Sequence, residues 1–196
     1  MARVEPLPVR EWPPEMRTAL AALDPPGARF THPPKEGRPR ALNALGTLAH
    51  HPVLARAFCT LNGHLLMTTT LTERQRELII LRVASVRQAD YEWAQHVLIA
   101  RDAGLDEEQI ARIADGPDPS FWGDLESALL GAVDELLVEG SISNPTWSLL
   151  SAELDTQQLL DVIFTVSGYD AFARMLHSFE VDLDEDLIAS RDIADS

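Results

Sequence analysis

The sequence predicts an all-α protein, and three observations carry that prediction. From residue 40 onward apolar residues recur at helical spacing, capping signals punctuate the runs, and no stretch alternates with period two for long enough to make a strand. A chain of 196 residues is by default a single domain whose core needs no disulfide or metal to hold it.

The elements follow in order. Residues 1–40 hold nine of the 13 prolines, including the pairs Pro13-Pro14, Pro25-Pro26 and Pro33-Pro34. Proline lacks the amide donor and clashes with the preceding turn, so regular helix is impossible across most of this stretch. Pro14 to Leu23 can still form one short helix that begins at a proline. Trp12 and Phe30 favour docking of the segment, along the domain or on a neighbouring subunit. The expected division is a Pro-rich N-terminal arm, 1–40, and a helical domain, 41–196.

Within that domain helices are predicted near 41–50, 52–67, 73–87, 91–103, 107–114, 123–139, 145–152, 156–167 and 169–179. His50-His51 before Pro52 reads as a capped or exposed helix boundary. Thr72 with Gln75, Asp106 with Gln109 and Asp155 with Gln158 fit the capping box, in which two side chains satisfy orphan amides reciprocally. Asn144-Pro145 reads as an N-cap followed by proline at the first helical position. Gly104, Gly116 and Gly140 follow apolar runs, where a left-handed residue closes a helix. The runs Asp106-Glu107-Glu108 and Asp182-Leu-Asp-Glu-Asp186 read as solvated helix starts favoured by the helix dipole. The segment from Leu71 to Ser85 partly echoes that from Leu154 to Gly168, but the second copy has no equivalent of the polar pair discussed next.

Polar titratable groups recur at helical spacing inside strongly apolar sequence in one place, Glu77 to His96. Glu92 and His96 are four apart and share a helix face, and Glu77 on the preceding helix can meet that face if the two helices fold back on each other. Two carboxylates and an imidazole in a hydrophobic layer suit proton transfer, because burial raises a glutamate toward the working range of a histidine. Spacing does not assign which of Glu92 and His96 is acid and which is base. The same groups also fit a structural buried pair that locks one helix on the next. Arg82 and Arg87 follow Glu77 and could anchor a substrate carboxylate as a guanidinium fork; Arg82 could equally be Glu77's own ion-pair partner. His64, on the apolar run Phe58 to Leu66, could face the pocket or be a satisfied core histidine.

Composition narrows the function classes. Against 31 acidic residues stand 16 basic ones, a net charge of −15 that repels nucleic acid and anionic membrane. Lys35 is the only lysine, which leaves Schiff-base and P-loop chemistry poorly supported. Cys59 is the only cysteine, so an intramolecular disulfide and a Cys-x-x-Cys pair are excluded. Metal binding is not expected, since Glu92 and His96 supply only two ligands and the zinc-hydrolase arrangement is missing. With no secretory signal in Met-Ala-Arg-Val-Glu-Pro and no apolar run near the roughly 20 residues of a membrane span, a cytoplasmic location is expected.

The stretches Leu71-Thr-Glu-Arg-Gln-Arg-Glu77-Leu, Tyr91-Glu92-Trp93-Ala-Gln-His96 and Ala103-Gly104-Leu105, followed by Glu107-Glu108-Gln109-Ile110, resemble the carboxymuconolactone decarboxylase and alkyl hydroperoxidase D-like superfamily. The resemblance covers residues 40–115, and beyond them only the helical layout. It implies a helical bundle of the alkyl hydroperoxidase D-like type and a homo-oligomer (dimer, trimer or hexamer) with no metal or organic cofactor. In the hydroperoxidase branch a glutamate precedes a Cys-x-x-Cys with an interposed histidine, then a second histidine. Those positions here hold Glu77, Ala89, Tyr91, Glu92 and His96, so the sulfurs that thiol peroxidase chemistry needs are missing. Glu92-Trp-Ala-Gln-His96 instead resembles the decarboxylase branch.

The expected function is a cofactor-free lyase or isomerase acting on a small carboxylated lactone or related carbonyl acid. Glu77, Glu92 and His96 are the candidate catalytic residues, and Tyr91, His64 and Arg82 the candidate substrate-binding ones. Two alternatives stand beside it: a peroxidase-like protein using Cys59 alone, and a non-catalytic member with a structural or binding role. A homo-oligomer is also expected because the predicted helix 73–87 is apolar on nearly all sides, which calls for a second wall that another subunit could supply.

Overall fold

Residues 2–30 and 40–188, the part that this computed structural model describes, contain α-helices and no strand. The all-α expectation holds. Compactness divides the chain elsewhere than composition does, into unit 1, residues 1–68 with 174–196, and unit 2, residues 69–173.

Unit 1 contains a 3-10 turn, Val9–Glu11, then α1 (Met16–Ala21), α2 (Leu42–Leu48), α3 (Pro52–Gly63) and a π-helical turn, His64–Thr68. Met16 and Ala19 of α1 are buried with Leu48, Ala49 and Ala55, and Trp12 packs against them. The first 30 residues are thus part of a core. Gly63 permits the close approach of α1 to α3, since a Cβ there would lie 2.2 Å from the Ala22 carbonyl oxygen. His51 caps α3, its Nδ1 accepting from Leu54 N at 3.3 Å. Asp184 departs from the solvated helix start expected of its acidic run. It is buried and accepts from Asn43 N at 2.8 Å, so it ties the C-terminal segment to α2.

Unit 2 contains α4 (Glu73–Arg87), α5 (Asp90–Asp102), α6 (Glu107–Asp115), α7 (Pro119–Trp122), α8 (Asp124–Val138), α9 (Asn144–Glu153) and most of α10 (Thr156–Phe179). All three capping boxes form. Gly104, Gly116 and Gly140 take φ of +87°, +103° and +76°. The N-cap of α9 is Ser143 rather than Asn144, one residue earlier than expected. The helices expected at 156–167 and 169–179 are one continuous helix, because a lone Gly168 costs a helix interior only about 1 kcal/mol.

α4 is the central element. Leu78, Ile79, Ile80, Leu81 and Val83 are all 0% exposed within the single chain. The wall that another subunit was expected to supply comes from α5, α6 and α8 of the same chain. Each such side chain contributes about 1.5–3 kcal/mol by leaving water. Leu78 and Leu81 share one cluster with Ala100, Leu105, Ile110, Ile113, Trp122 and Leu130. The start of α4 is tied to α10 by the buried Asp161, which accepts from Thr69 Oγ1 at 3.0 Å and from Thr70 N and Oγ1 at 2.6 and 2.7 Å.

Candidate active site

The α4–α5 turn sets the geometry. Gln88 takes φ +55°, Gln88 N donates to Ser85 O at 3.0 Å and Ala89 N to Ala84 O at 2.8 Å. This pair of bonds closes α4 and sends α5 back along it. Glu77 on α4 then meets the face of α5 that carries Glu92 and His96, and all three are buried.

A charge relay runs through Glu77. Arg76 Nε donates to Glu77 Oε1 at 2.8 Å, and His96 Nδ1 lies 2.8 Å from Glu77 Oε2. Arg76 and Glu77 side chains are both 0% exposed, so each charge depends on the other for compensation. Burial alone would raise the Glu77 carboxyl. The charges and hydrogen bonds of His96 and Arg76 outweigh it and hold Glu77 below its ordinary value. An ionised Glu77 accepts, so His96 Nδ1 carries the proton of this bond. Among the described residues His96 Nε2 has no hydrogen-bond partner.

Glu92 is the opposite case. It is 1% exposed, and neither carboxyl oxygen has a hydrogen-bond partner among the described residues. Burial pushes its carboxyl well above the ordinary value, and the charge of Asp170 pushes it further. The cluster therefore pairs an ionised carboxylate with one that favours its protonated form, the arrangement that separates base from acid in proton-transfer sites.

α10 brings two residues that sequence spacing did not single out. The Tyr169 ring meets the His96 ring edge to face, with centroids 5.0 Å apart. Its hydroxyl is raised well above the ordinary tyrosine value, chiefly by burial and then by the charges of Glu77 and Glu92. One turn earlier, Thr165 is fully buried on the same side of the helix. Neither hydroxyl has a partner among the described residues. The sequence does carry a signal for them, since Thr165-x-x-x-Tyr169 has the same spacing as Glu92 and His96. Arg76, the partner of Glu77, was not anticipated either, although an arginine inside a buried apolar helix calls for a neighbouring carboxylate.

The remaining candidates lie as follows. Tyr91 is buried on α5, about 100° round the helix from Glu92. His64 lies in the π-helical turn of unit 1, its Nδ1 2.8 Å from Thr68 Oγ1. Arg82 is not the ion-pair partner of Glu77. Its Nε and Nη2 meet Asp134 at 2.8 and 2.9 Å, and Nη1 donates to the carbonyls of Ile113 and Ala114 at 3.0 and 2.9 Å. Arg87 pairs with Asp170 and donates to Leu137 O. Cys59 is fully buried in unit 1, and burial pushes its thiol up, away from the reactive thiolate. Among the described residues no three histidine, cysteine or carboxylate side chains gather as a metal ion requires.

The comparisons agree with this architecture. Residues 52–135 match the carboxymuconolactone decarboxylase family; the match includes Glu77, Glu92 and His96 and ends before Thr165 and Tyr169. No curated protein matches the sequence. An uncharacterized peroxidase-related protein from Ralstonia eutropha, with an alkylhydroperoxidase AhpD core, superposes with a TM-score of 0.72 at 17% identity, covering 95% of this chain and 94% of its own. The debrominase Bmp8 superposes with a TM-score of 0.71 at 14% identity, covering 96% of each chain. A protein of unknown function from Agrobacterium tumefaciens gives 0.64 at 20% identity, over 70% of this chain and 95% of its own. At such identities the likeness is one of fold. Residues 52–135 thus resemble the carboxymuconolactone decarboxylase family, and the fold is that of the alkylhydroperoxidase D-like structures.

Proposed function

We propose that this protein is a cofactor-free lyase or isomerase that moves a proton on a small carboxylated lactone or related carbonyl acid. The observation that supports it most is Glu92, buried and without a partner beside the Arg76–Glu77–His96 relay. A structural glutamate in such a place would be paired, because an unsatisfied buried polar group costs about 1–3 kcal/mol. In this reading His96 Nε2 takes the proton, Glu77 steadies the imidazolium that forms, and Arg76 keeps Glu77 ionised. Glu92 acts as the acid. Thiol peroxidase chemistry draws no support from Cys59, and neither Arg82 nor Arg87 offers an open guanidinium to anchor a carboxylate.

The test is a thermal-shift screen of purified protein against small lactones and keto acids, followed by turnover measurements on the binders. A ligand at about 100 times its Kd adds about 2.7 kcal/mol of apparent stability. His96→Ala and Glu92→Gln should each lower turnover by roughly 10²–10⁴-fold, the usual worth of a positioned base or acid. Full activity in both variants would end the assignment, and no shift with any compound would favour the non-catalytic reading.

We also read the protein as a homo-oligomer. With α4 covered by its own chain, the support comes from α10, where Leu160 and Phe164, one turn apart, are 51% and 52% exposed. Light scattering at micromolar concentration should give a mass above that of one chain, and a stable monomer rejects the reading.

A further inference from the structure

Three oxygen-bearing side chains in unit 2 are buried with no hydrogen-bond partner among the described residues: those of Glu92, Thr165 and Tyr169. Native structures leave only a few such groups unsatisfied per 100 residues, and a catalytic role is one of the explanations for each. Here the three share a setting. Glu92 lies one helical turn from His96, the Tyr169 ring packs edge-on against the His96 ring at 5.0 Å, and Thr165 lies one turn from Tyr169 on the inner face of α10. On the other side of the imidazole, Nδ1 is held by Glu77, so the base atom that remains is Nε2.

We propose that the Tyr169 hydroxyl and the Glu92 carboxyl together form an oxyanion site beside His96, so that the substrate is an enolisable carbonyl compound whose oxygen both groups hold. The inference rests on the proton-transfer reading above and extends it to a substrate class and to a catalytic residue outside the family-matched segment. In the isomerase form His96 Nε2 takes a proton from the carbon next to the carbonyl. The C–H electron pair becomes the C=C bond of the enolate, and the carbonyl π pair moves to oxygen. Where the substrate carries a β,γ double bond, the oxygen pair then re-forms the carbonyl, the enolate C=C pair moves to the α,β position, and the β,γ π pair takes the same proton from His96 onto the γ-carbon. In the lyase form His96 Nε2 takes the proton of the substrate's carboxylic acid, the C–CO2 bond supplies the electron pair as carbon dioxide leaves, and the imidazolium returns that proton to carbon as the oxygen pair re-forms the carbonyl. Both routes pass through one enolate oxygen and need no further reactant. Two neutral O–H donors suit that oxygen because burial strengthens their hydrogen bonds to a developing charge while neither brings a charge of its own.

Para-nitrophenol tests this directly, since its anion mimics an enolate and alone absorbs in the visible. Titrated at a pH where the free phenol keeps its proton, it should bind to the parent protein as the anion, its proton passing to His96. Tyr169→Phe and Glu92→Gln should each weaken binding about 10- to 100-fold, the worth of one hydrogen bond to a charged group. His96→Ala should bind the neutral phenol only. Tyr169→Phe removes a hydroxyl without a partner, so its thermal midpoint should not fall. A second measurement needs no variant to bind: the infrared carbonyl band of the protonated Glu92 carboxyl should move when the anion binds to the parent protein. Equal affinity in Tyr169→Phe, binding of the neutral phenol to the parent, an unmoved band, or no binding at all would each overturn the oxyanion site. None of these outcomes touches the broader proton-transfer reading, which stands or falls on turnover in His96→Ala and Glu92→Gln.

Discussion

Glu92 and Glu77 lie in one cluster, yet folding moves their proton equilibria in opposite directions. Glu92 is raised by burial, so the native chain binds more protons than the unfolded one from the ordinary value of 4.5 up to the raised value. Stability therefore falls as pH rises through that window. Glu77 is lowered, so its contribution is present above 4.5 and is lost as pH falls through its native value. Glu92→Gln keeps the shape of a neutral acid and cannot ionise. Urea unfolding from about pH 5 to pH 8 should give a flatter stability profile for Glu92→Gln than for the parent, with higher stability at the alkaline end. A profile as steep as the parent's would mean that Glu92 does not carry the raised titration. At this scale the sequence was legible where two polar residues stood four apart in an apolar helix, as Glu92 and His96 do. It was not legible at Arg76 and Tyr169, because the partner of a buried group is fixed by how helices pack.

Arg82 shows how an element can use a residue that spacing assigns to chemistry. Its guanidinium joins α8, through Asp134, to the last carbonyls of α6, where a cation is favoured by the helix dipole. Gly116 makes room for it at the end of α6, since a Cβ there would lie 3.0 Å from the guanidinium and the backbone sits at φ +103°. Arg82→Met should cost about 1.5–3 kcal/mol in chemical denaturation, the range for hydrogen bonds to charged groups, and leave turnover per folded molecule unchanged. A lost activity with unchanged stability would return Arg82 to the substrate. The elements themselves were the most legible level. α4 begins and ends where its capping box and apolar run predict, because caps are local chemistry. The α4–α5 turn was less so, since its left-handed position is held by Gln88 rather than glycine. The join at Gly168 was hidden for the converse reason, a glycine with no break.

Across the whole molecule, a net charge of −15 sets the long-range field. That field opposes the approach of any anionic substrate, so salt should help rather than hinder. Raising ionic strength from about 0.01 M to about 0.15 M shortens the screening length from about 30 Å to about 8 Å. The kcat/KM for a carboxylated substrate should rise over that interval while kcat stays constant, and a fall would point to a locally positive approach path. Global arrangement was the least legible level: which helices cover α4 is decided by long-range packing, and a helix apolar all round gives no hint whether its cover is its own chain or another. The absence of sulfur from Arg76, Glu77, Glu92, His96, Thr165 and Tyr169 carries a consequence for where such a catalyst can work. In the proposed reading, turnover through these groups would move protons and no net electrons. It would draw on no reductant and would need no recycling partner, and it would run at the same rate in aerated and in oxygen-free surroundings.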